Sequence, residues 1–338
     1  MEGKIVLYLG NKLKSKGSNP TTVDLLSDAL RQEGYTVYAY SSKKNKILRL
    51  IDMLLAIKRL RSKIDYALID TYSTSAFWFA YISAKILQHY NIPYVPVLHG
   101  GNLPVRFKKN KKRVLWLLRN ATINVSPSNY LYEFFNSKGI KHLVKIPNAI
   151  QIEGYNFKIR PYPKPHLLWV RAFAHIYNPL LAIKTLELLL ATYPEAKLSM
   201  VGPVKDKSFD QCKSYIDEKQ LPVTITGQLP KEDWIAYAED FDVFLNTTTI
   251  DNMPVSVVEA MALGLLVVST NVGGLPYLIE DGKDGVLVNM NDEKEMVKAI
   301  EALLENPALS KKISQNARQK AKGFSWEVLK ERWLSVLK

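Results

Sequence analysis

Short apolar runs of strand length alternate with longer segments of helical period in the first half of the chain. The runs that predict β-strands are residues 5–9, 36–40, 66–69, 94–98, 121–125 and 143–146. Between them, apolar residues spaced three and four apart predict helices, among them 21–33, 75–89 and 129–137. Alternation of this kind is typical of a parallel, doubly wound sheet that is covered by helices.

The alternation restarts after a proline-rich segment. Residues 158–166 contain three prolines in nine residues, which is the composition of a stiff linker. Further strands are predicted at 167–170, 197–201, 223–225, 243–245 and 265–269. The pattern therefore predicts an α/β protein with two domains, residues 1–160 and 161–324. The terminal segment, residues 325–338, is amphipathic, with its apolar side formed by Trp326, Leu329, Trp333 and Leu337.

Two carboxylates lie eight residues apart between the predicted strands 243–245 and 265–269. Asp251 precedes a predicted helix with Pro254 in its first turn, and Asp251 or Asn252 is the expected cap. Glu259 is expected about two turns into that helix, which Gly264 ends. A capping aspartate and a solvated glutamate are the ordinary interpretation of such a pair. A ligand site is the alternative, because helix N-termini attract anions and open α/β sheets bind ligands beyond the carboxyl ends of their strands.

The same segment resembles a known family. Asp251-x7-Glu259 is followed by Ala-Met-Ala-Leu-Gly and by Asn-Val-Gly-Gly-Leu-Pro, which together resemble the E-x7-E region of retaining glycosyltransferases of family 4. The resemblance implies the GT-B fold, in which two Rossmann-like doubly wound domains face each other across a cleft. It implies an N-terminal acceptor-binding domain and a C-terminal domain that binds a nucleotide-diphosphate sugar. In this fold a terminal helix, here residues 325–338, commonly returns to the first domain.

The resemblance also implies roles for single residues. Asp251 would contact the transferred sugar as a catalytic residue, and Glu259 would hold the ribose of the nucleotide. The start of the helix would help to bind the donor through Asn252, Met253, Pro254 and Val255. Two departures from the family leave the donor sugar open. The first acid is an aspartate instead of a glutamate, and Tyr277 stands where a glutamate usually follows Gly-Gly-x-Pro.

Arg171 directly follows the first predicted strand of the second domain. It resembles the family's diphosphate-binding arginine, and a guanidinium suits phosphate because it donates two parallel hydrogen bonds. The family usually adds a lysine a few residues later, but Tyr177 stands near that position. The alternatives for a second positive group are His175, Lys205 and Lys207.

Two positions of the first domain complete the predicted site. His99 and two glycines follow the apolar run 94–98, where the backbone can approach a ligand closely. This loop resembles the histidine-containing interdomain loop of the family, which implies a catalytic role for His99. Gly17 ends the loop 10–17 after the first predicted strand, and it is expected to contact the donor. Plain solvated lysines are the alternative interpretation of that loop, which lacks a G-x-G-x-x-G pattern.

Neither a metal ion nor a cofactor is expected. Asp240-Phe-Asp242 matches the D-x-D metal motif of the other large glycosyltransferase fold, but it lies just before a buried run, an ordinary place for solvated acids. The sequence has no His and Cys cluster with metal-ligand spacing. The nucleotide sugar is therefore expected to serve as donor substrate without a bound metal.

The net charge of +14 lies in the first half of the chain. Residues 1–160 hold 26 Lys and Arg against 9 Asp and Glu, whereas residues 161–338 hold 20 against 23. Two stretches, 43–63 and 106–116, combine clustered cations with apolar or aromatic residues on predicted helices. This combination predicts attachment to an anionic membrane surface. Two solvated helices that pack normally are the alternative.

The chain has one cysteine, Cys212, and no apolar run near the ~18 residues of a membrane span, which predicts a cytoplasmic protein. Together with the two basic stretches, this predicts a peripheral protein on the inner face of the cell membrane. The predicted activity is transfer of a hexose-type sugar to a glycan or lipid-linked acceptor in cell-surface polysaccharide synthesis. A sugar-nucleotide epimerase of the same fold and a basic nucleic-acid-binding protein are the other functions considered. The sequence shows no RNP-like, helix-turn-helix or zinc-finger pattern, so no nucleic-acid partner is expected.

Overall fold

The computed structural model describes residues 4–12 and 21–338. Contacts divide the chain into two compact units, Met1–Ala149 with Trp326–Lys338, and Ile150–Ser325. Each unit is built on a six-stranded parallel sheet flanked by helices, as the alternating pattern predicts. None of the helices within residues 4–12 and 21–338 is both long and apolar enough to cross a membrane.

The first unit has the strand order β2-β1-β3-β4-β5-β6. Its strands are β1 (Ile5–Leu9), β2 (Thr36–Tyr40), β3 (Tyr66–Thr71), β4 (Tyr94–Leu98), β5 (Asn124–Ser126) and β6 (Leu143–Lys145). Its helices within residues 22–136 are α1 (Thr22–Gln32), α2 (Lys46–Leu60), α3 (Phe77–His89), α4 (Leu103–Arg119) and α5 (Asn129–Asn136). Side chains of β1 alternate between two cores, Val6 and Tyr8 in one and Leu7 and Leu9 in the other, because successive residues of a strand face opposite sides.

The second unit has the strand order β12-β11-β10-β7-β8-β9. Its strands are β7 (His166–Val170), β8 (Lys197–Val201), β9 (Val223–Gly227), β10 (Val243–Asn246), β11 (Leu266–Thr270) and β12 (Val286–Val288). Its helices are α6 (Pro179–Leu189), α7 (Ser208–Lys219), α8 (Lys231–Tyr237), α9 (Val255–Leu263), α10 (Leu275–Leu278), α11 (Glu293–Glu305) and α12 (Pro307–Lys322).

The boundary between the units lies earlier than the proline-rich segment suggests. Residues 150–160 belong to the second unit because Ile150 and Tyr155 are buried in its core. Arg160 is also buried there and donates hydrogen bonds to the carbonyl oxygens of Phe241 and Leu263, both at 2.9 Å. The C-terminal helix α13 (Trp326–Val336) belongs to the first unit, where Leu329 and Trp333 share the core of β1.

Helix α9 differs from its predicted form in two respects. It begins at Val255 with Pro254 as the N-cap residue, so neither Asp251 nor Asn252 holds the N-cap position, and Glu259 lies about one turn inside. Every residue from 257 to 263 is buried, including Glu259, for which exposure to solvent was the ordinary interpretation. Its predicted end is confirmed, since Gly264 closes the helix with a φ of +78°.

Candidate active site

The predicted donor-binding residues of the second unit meet at one edge of its sheet. Strands β7, β10 and β11 are parallel neighbours, so their carboxyl ends lie side by side. Arg171 follows β7, the loop 247–254 follows β10, and Gly273-Gly274 follow β11. This is the edge where open α/β sheets bind their ligands.

Hydrogen bonds fasten the loop after β10 to the loop after β7. Thr247 donates its hydroxyl to the carbonyl oxygen of Tyr177 at 2.7 Å and accepts from the indole of Trp169 at 2.9 Å. The backbone N–H of Thr249 donates to the carbonyl oxygen of Ile176 at 2.8 Å. These bonds hold Asp251 beside Arg171.

Arg171 and Asp251 form an ion pair, with Nη2 of the guanidinium donating to Oδ2 of the carboxylate. Their side chains are only 15% and 18% exposed, so the charges are poorly screened by water. The guanidinium carbon lies 4.8 Å from the centre of the Tyr177 ring. Tyr177, near the expected lysine position, therefore supports the arginine through its ring and adds no second positive charge.

The two glycines after β11 allow their loop to pack against the Asp251 loop. A Cβ atom on Gly274 would lie 1.7 Å from the carbonyl oxygen of Asn252, and Gly273 has a φ of +55°. The N–H of Gly274 donates to the carbonyl oxygen of Asp251 at 3.0 Å. A larger residue at position 274 would therefore displace the loop that carries the carboxylate.

The remaining donor-binding candidates line the start of α9. Asn252, Met253 and Pro254 are buried, and Val255 is half-buried. In the second residue of the helix, Ser256, the hydroxyl is buried and has no hydrogen-bond partner within the described residues. The helix start thus offers backbone N–H groups and one uncommitted hydroxyl beside the ion pair.

Glu259 is buried, with 9% of its side chain exposed, and so it is not the solvated glutamate of the ordinary interpretation. Its Oε1 accepts a hydrogen bond of 2.7 Å from the Tyr155 hydroxyl, and the Lys231 ammonium lies 3.1 Å from the same oxygen. Burial and then the charge of Glu259 raise the pKa of the Tyr155 phenol far above its usual value, so Tyr155 stays protonated and donates. Sequence reasoning missed both partners, since Tyr155 is 104 residues away from Glu259.

The other candidate cations are arranged differently. His175 donates its backbone N–H to Asp206 at 2.9 Å, and Lys205 and Lys207 are exposed. In the Asp240-Phe-Asp242 segment, Asp242 lies 3.1 Å from the buried guanidinium of Arg160. Within residues 4–12 and 21–338, no group of three or more His, Cys, Asp or Glu side chains is arranged to hold a metal ion.

In the first unit, His99 lies at the carboxyl end of β4 and faces a buried carboxylate that the sequence analysis missed. Its Nε2 is 2.8 Å from Oδ1 of Asp70, the second-to-last residue of β3, which is paired with β4. The hydroxyl of Tyr8 donates to the same oxygen at 2.9 Å, and the ring of Tyr72 stacks on His99 at 5.4 Å. The sequence signal that could have identified Asp70 is its position directly after the apolar run 66–69. Gly17 lies outside the described residues.

Comparison with known proteins agrees with this architecture. A family model described as glycosyl transferases group 1 matches residues 155–320, and the glycosyltransferase family 4 model matches residues 4–153. A glycosyltransferase of Haemophilus influenzae is 22% identical, with 99% of each chain covered.

Two solved structures share the fold over nearly the whole chain. Sucrose-phosphate synthase from Thermosynechococcus elongatus has a TM-score of 0.82 at 17% identity, with 98% of each chain covered. HepE from Anabaena, in complex with UDP and glucose, has a TM-score of 0.79 at 18% identity, with 99% of each chain covered. The chain belongs to the group 1 and family 4 glycosyltransferases and has the GT-B fold.

Proposed function

We propose that this enzyme transfers a hexose-type sugar from a nucleotide-diphosphate sugar to a glycan or lipid-linked acceptor, with retention of the anomeric configuration. The observation that carries the proposal is the Arg171–Asp251 ion pair beside the start of α9, with Glu259 one turn further along. Arg171 offers a cation for the diphosphate, Asp251 offers a carboxylate for the sugar hydroxyls, and Glu259 offers a carboxylate for the ribose. The bound UDP and glucose of HepE, a protein of the same fold, support the choice of donor.

Each group in the second unit has a task in this reaction. When the bond between the sugar C1 and the diphosphate breaks, negative charge develops on the leaving phosphate. Arg171 and the N–H groups at the start of α9 would stabilise that charge without reorganising. Asp251 would hold the sugar hydroxyls, and Glu259 would accept hydrogen bonds from the ribose. A donor held in this way would be attacked by the acceptor hydroxyl on the face that the diphosphate leaves.

The first unit would supply the acceptor side. The buried Asp70 carboxylate fixes the ring of His99 through Nε2, so Nδ1 is the nitrogen left for a substrate hydroxyl. Burial and then the charge of Asp70 raise the pKa of the Tyr8 phenol, which therefore remains a donor to Asp70. In this arrangement His99 would orient a substrate hydroxyl.

A peripheral location on the inner face of the cell membrane is part of the proposal, and α2 is its basis. Four aliphatic side chains on one stripe of this helix are exposed by 72%, 55%, 47% and 42%: Ile47, Leu48, Ile51 and Leu55. Exposed lysines and arginines lie at both ends of the stripe, at residues 43, 44, 46, 58, 59 and 61. An apolar stripe bordered by cations suits the surface of an anionic bilayer. In α4 the apolar residues Phe107 and Val114 are buried instead, and Val105 is its one exposed large apolar residue, so that helix would contribute mainly charge.

A donor screen tests the proposal. Purified enzyme is incubated with UDP-, GDP- and ADP-linked hexoses, and release of the nucleoside diphosphate is measured with and without glycan and lipid-phosphate acceptors. Release that depends on one donor and increases with an acceptor is expected. Release of free sugar or an altered sugar nucleotide, unaffected by any acceptor, would indicate an epimerase or hydrolase and overturn the proposal.

A further inference from the structure

Glu259 sits in a small polar cluster whose other two members have no assigned role. Its Oε1 receives the Tyr155 hydroxyl at 2.7 Å and the Lys231 ammonium at 3.1 Å. The ammonium also lies 5.3 Å from the centre of the Tyr155 ring. Both contacts that the described residues make with this carboxylate use Oε1, which leaves Oε2 as the oxygen available to a ligand.

Tyr155 is held firmly where it contacts α9. The residue is 2% exposed, and its carbonyl oxygen accepts a hydrogen bond of 3.0 Å from Arg318. The same nitrogen of Arg318 donates to the carbonyl oxygen of Ala262, in α9, at 2.7 Å. The phenol therefore cannot follow Glu259 if that side chain swings, and it limits the rotamers open to the carboxylate.

Lys231 occupies a position that the helix itself does not favour. It is the first residue of α8, and a cation at a helix N-terminus opposes the helix dipole. The next two residues, Glu232 and Asp233, have the sign that this position prefers. The favourable partner of Lys231 is therefore Glu259, which is buried and would be costly to hold as a lone carboxylate.

We propose that Tyr155 and Lys231 are positioning residues that lock Oε1 of Glu259 and thereby aim Oε2 at the ribose hydroxyls of the donor. The inference rests on the proposed role of Glu259 and extends it to two further residues. Together they would determine how strongly the enzyme selects ribonucleotides over deoxyribonucleotides. A substrate hydroxyl is selected when its absence leaves a buried polar group unpaired, and that requires an acceptor oxygen fixed in place.

The test compares the dissociation constants of UDP, GDP and ADP with those of their 2′-deoxy and 3′-deoxy forms by calorimetry. For the nucleotide that binds, the wild type should prefer the ribose form by about tenfold or more, since hydrogen bonds to charged groups contribute about 1.5–3 kcal/mol. Tyr155→Phe and Lys231→Met should reduce this ratio to below about threefold, and Lys231→Arg should restore most of it. Glu259→Gln serves as the reference for complete loss.

A second cluster in the same unit provides matched controls. Glu187 accepts from the Tyr215 hydroxyl at 2.5 Å, and Lys219 lies 3.7 Å from its other oxygen. Tyr215→Phe and Lys219→Met should keep the wild-type ratio. A wild-type ratio in both Tyr155→Phe and Lys231→Met, with loss in Glu259→Gln, would overturn this inference alone. An unchanged ratio in Glu259→Gln would overturn the proposed ribose contact on which the inference depends.

Discussion

Two residues that the sequence assigned to different parts of the donor, Arg171 and Asp251, contact each other. Arg171 and Asp251 were predicted to serve the diphosphate and the sugar separately, yet they form one partly buried ion pair. An incoming diphosphate must therefore share the guanidinium with Asp251 or displace it. In the same pair, Nε of Arg171 is buried without a hydrogen-bond partner among the described residues.

Replacing Arg171 by alanine should weaken binding of the nucleoside diphosphate far more than binding of the bare nucleoside. Charge-assisted hydrogen bonds of this type contribute about 1.5–3 kcal/mol, so we expect a loss of roughly 10- to 150-fold for the diphosphate. Calorimetric titration of both ligands measures the difference.

Lys205→Ala is the control for this substitution, because Lys205 is exposed on the loop after β8. We expect a loss of less than about threefold for either ligand, since exposed charges are screened by water and salt. An equal loss for nucleoside and diphosphate in Arg171→Ala would mean that Arg171 serves folding or the ribose. A larger effect at Lys205 would move the phosphate site to the β8 loop.

The residue scale also shows what a single sequence can and cannot reveal. Spacing and neighbouring glycines pointed to Asp251 and Glu259, because both lie in one continuous segment. Asp70 and Tyr155 escaped notice, since their importance depends on side chains 29 and 104 residues away. Neither has a neighbouring motif that distinguishes it from an ordinary core residue.

Among the helices, α9 is the element on which the proposed donor site depends. Residues 257–263 are all buried, because helix α12 packs against α9 and Tyr155 lies in the same core. Gly264 ends the helix, and a Cβ atom there would lie 2.5 Å from the carbonyl oxygen of Lys158. The glycine therefore serves both backbone conformation and the close approach of residues 157–158.

Gly264→Ala should lower the thermal midpoint of unfolding more than Gly282→Ala. Both glycines have positive φ values, +78° and +68°, so both substitutions carry about 1–2 kcal/mol of backbone strain. Only Gly264 has backbone within reach of the added methyl group, since nothing lies within 4 Å of a Cβ on Gly282. Calorimetry of the two variants measures both midpoints. Equal midpoints would show that the backbone at Lys158 moves away from the added methyl group at little cost in stability.

Helix α2 should control binding to anionic membranes. Ile47→Gln with Leu48→Gln removes the two most exposed members of its apolar stripe. At roughly 1.5 kcal/mol for each partly buried side chain, binding to phosphatidylglycerol vesicles should fall by more than tenfold. Cosedimentation at several salt concentrations measures this, and binding should also weaken as salt rises because the border is cationic.

The control for α2 is the same change at exposed apolar residues of other helices, Leu188 in α6 and Val328 in α13. These substitutions should leave vesicle binding unchanged. Neutralising Lys108, Lys109, Lys111, Lys112 and Arg113 in α4 should weaken binding and lessen its dependence on salt. If vesicle binding depends neither on lipid charge nor on the α2 substitutions, α2 is an ordinary solvated helix.

At the scale of the whole molecule, the alternation of strands and helices was sufficient to predict two doubly wound α/β units. The parallel order of both sheets follows from that alternation, since each strand returns through a helix. The boundary was less predictable. Prolines at 161, 163 and 165 suggested a linker, but Ile150 and Tyr155 are already buried in the second core.

The sequence shows the uneven charge of the chain, but it does not show which basic stretch exposes apolar residues to a membrane surface. Both basic stretches looked alike, each combining cations with apolar residues. The two stretches differ in the burial of their apolar residues, because Phe107 and Val114 of α4 are buried while Ile47 and Leu48 of α2 are exposed. Which apolar residues face solvent depends on the neighbouring helices, which a helical period cannot reveal.

We propose that this glycosyltransferase transfers the sugar of a nucleotide-diphosphate donor with retention of the anomeric configuration. The most direct test is the anomeric configuration of its product, followed by proton NMR from the start of the reaction with the donor found in the screen. The coupling constant of the anomeric proton distinguishes the two configurations. An α-configured donor should give an α-linked product at the earliest times, whereas a β-linked product would contradict the account.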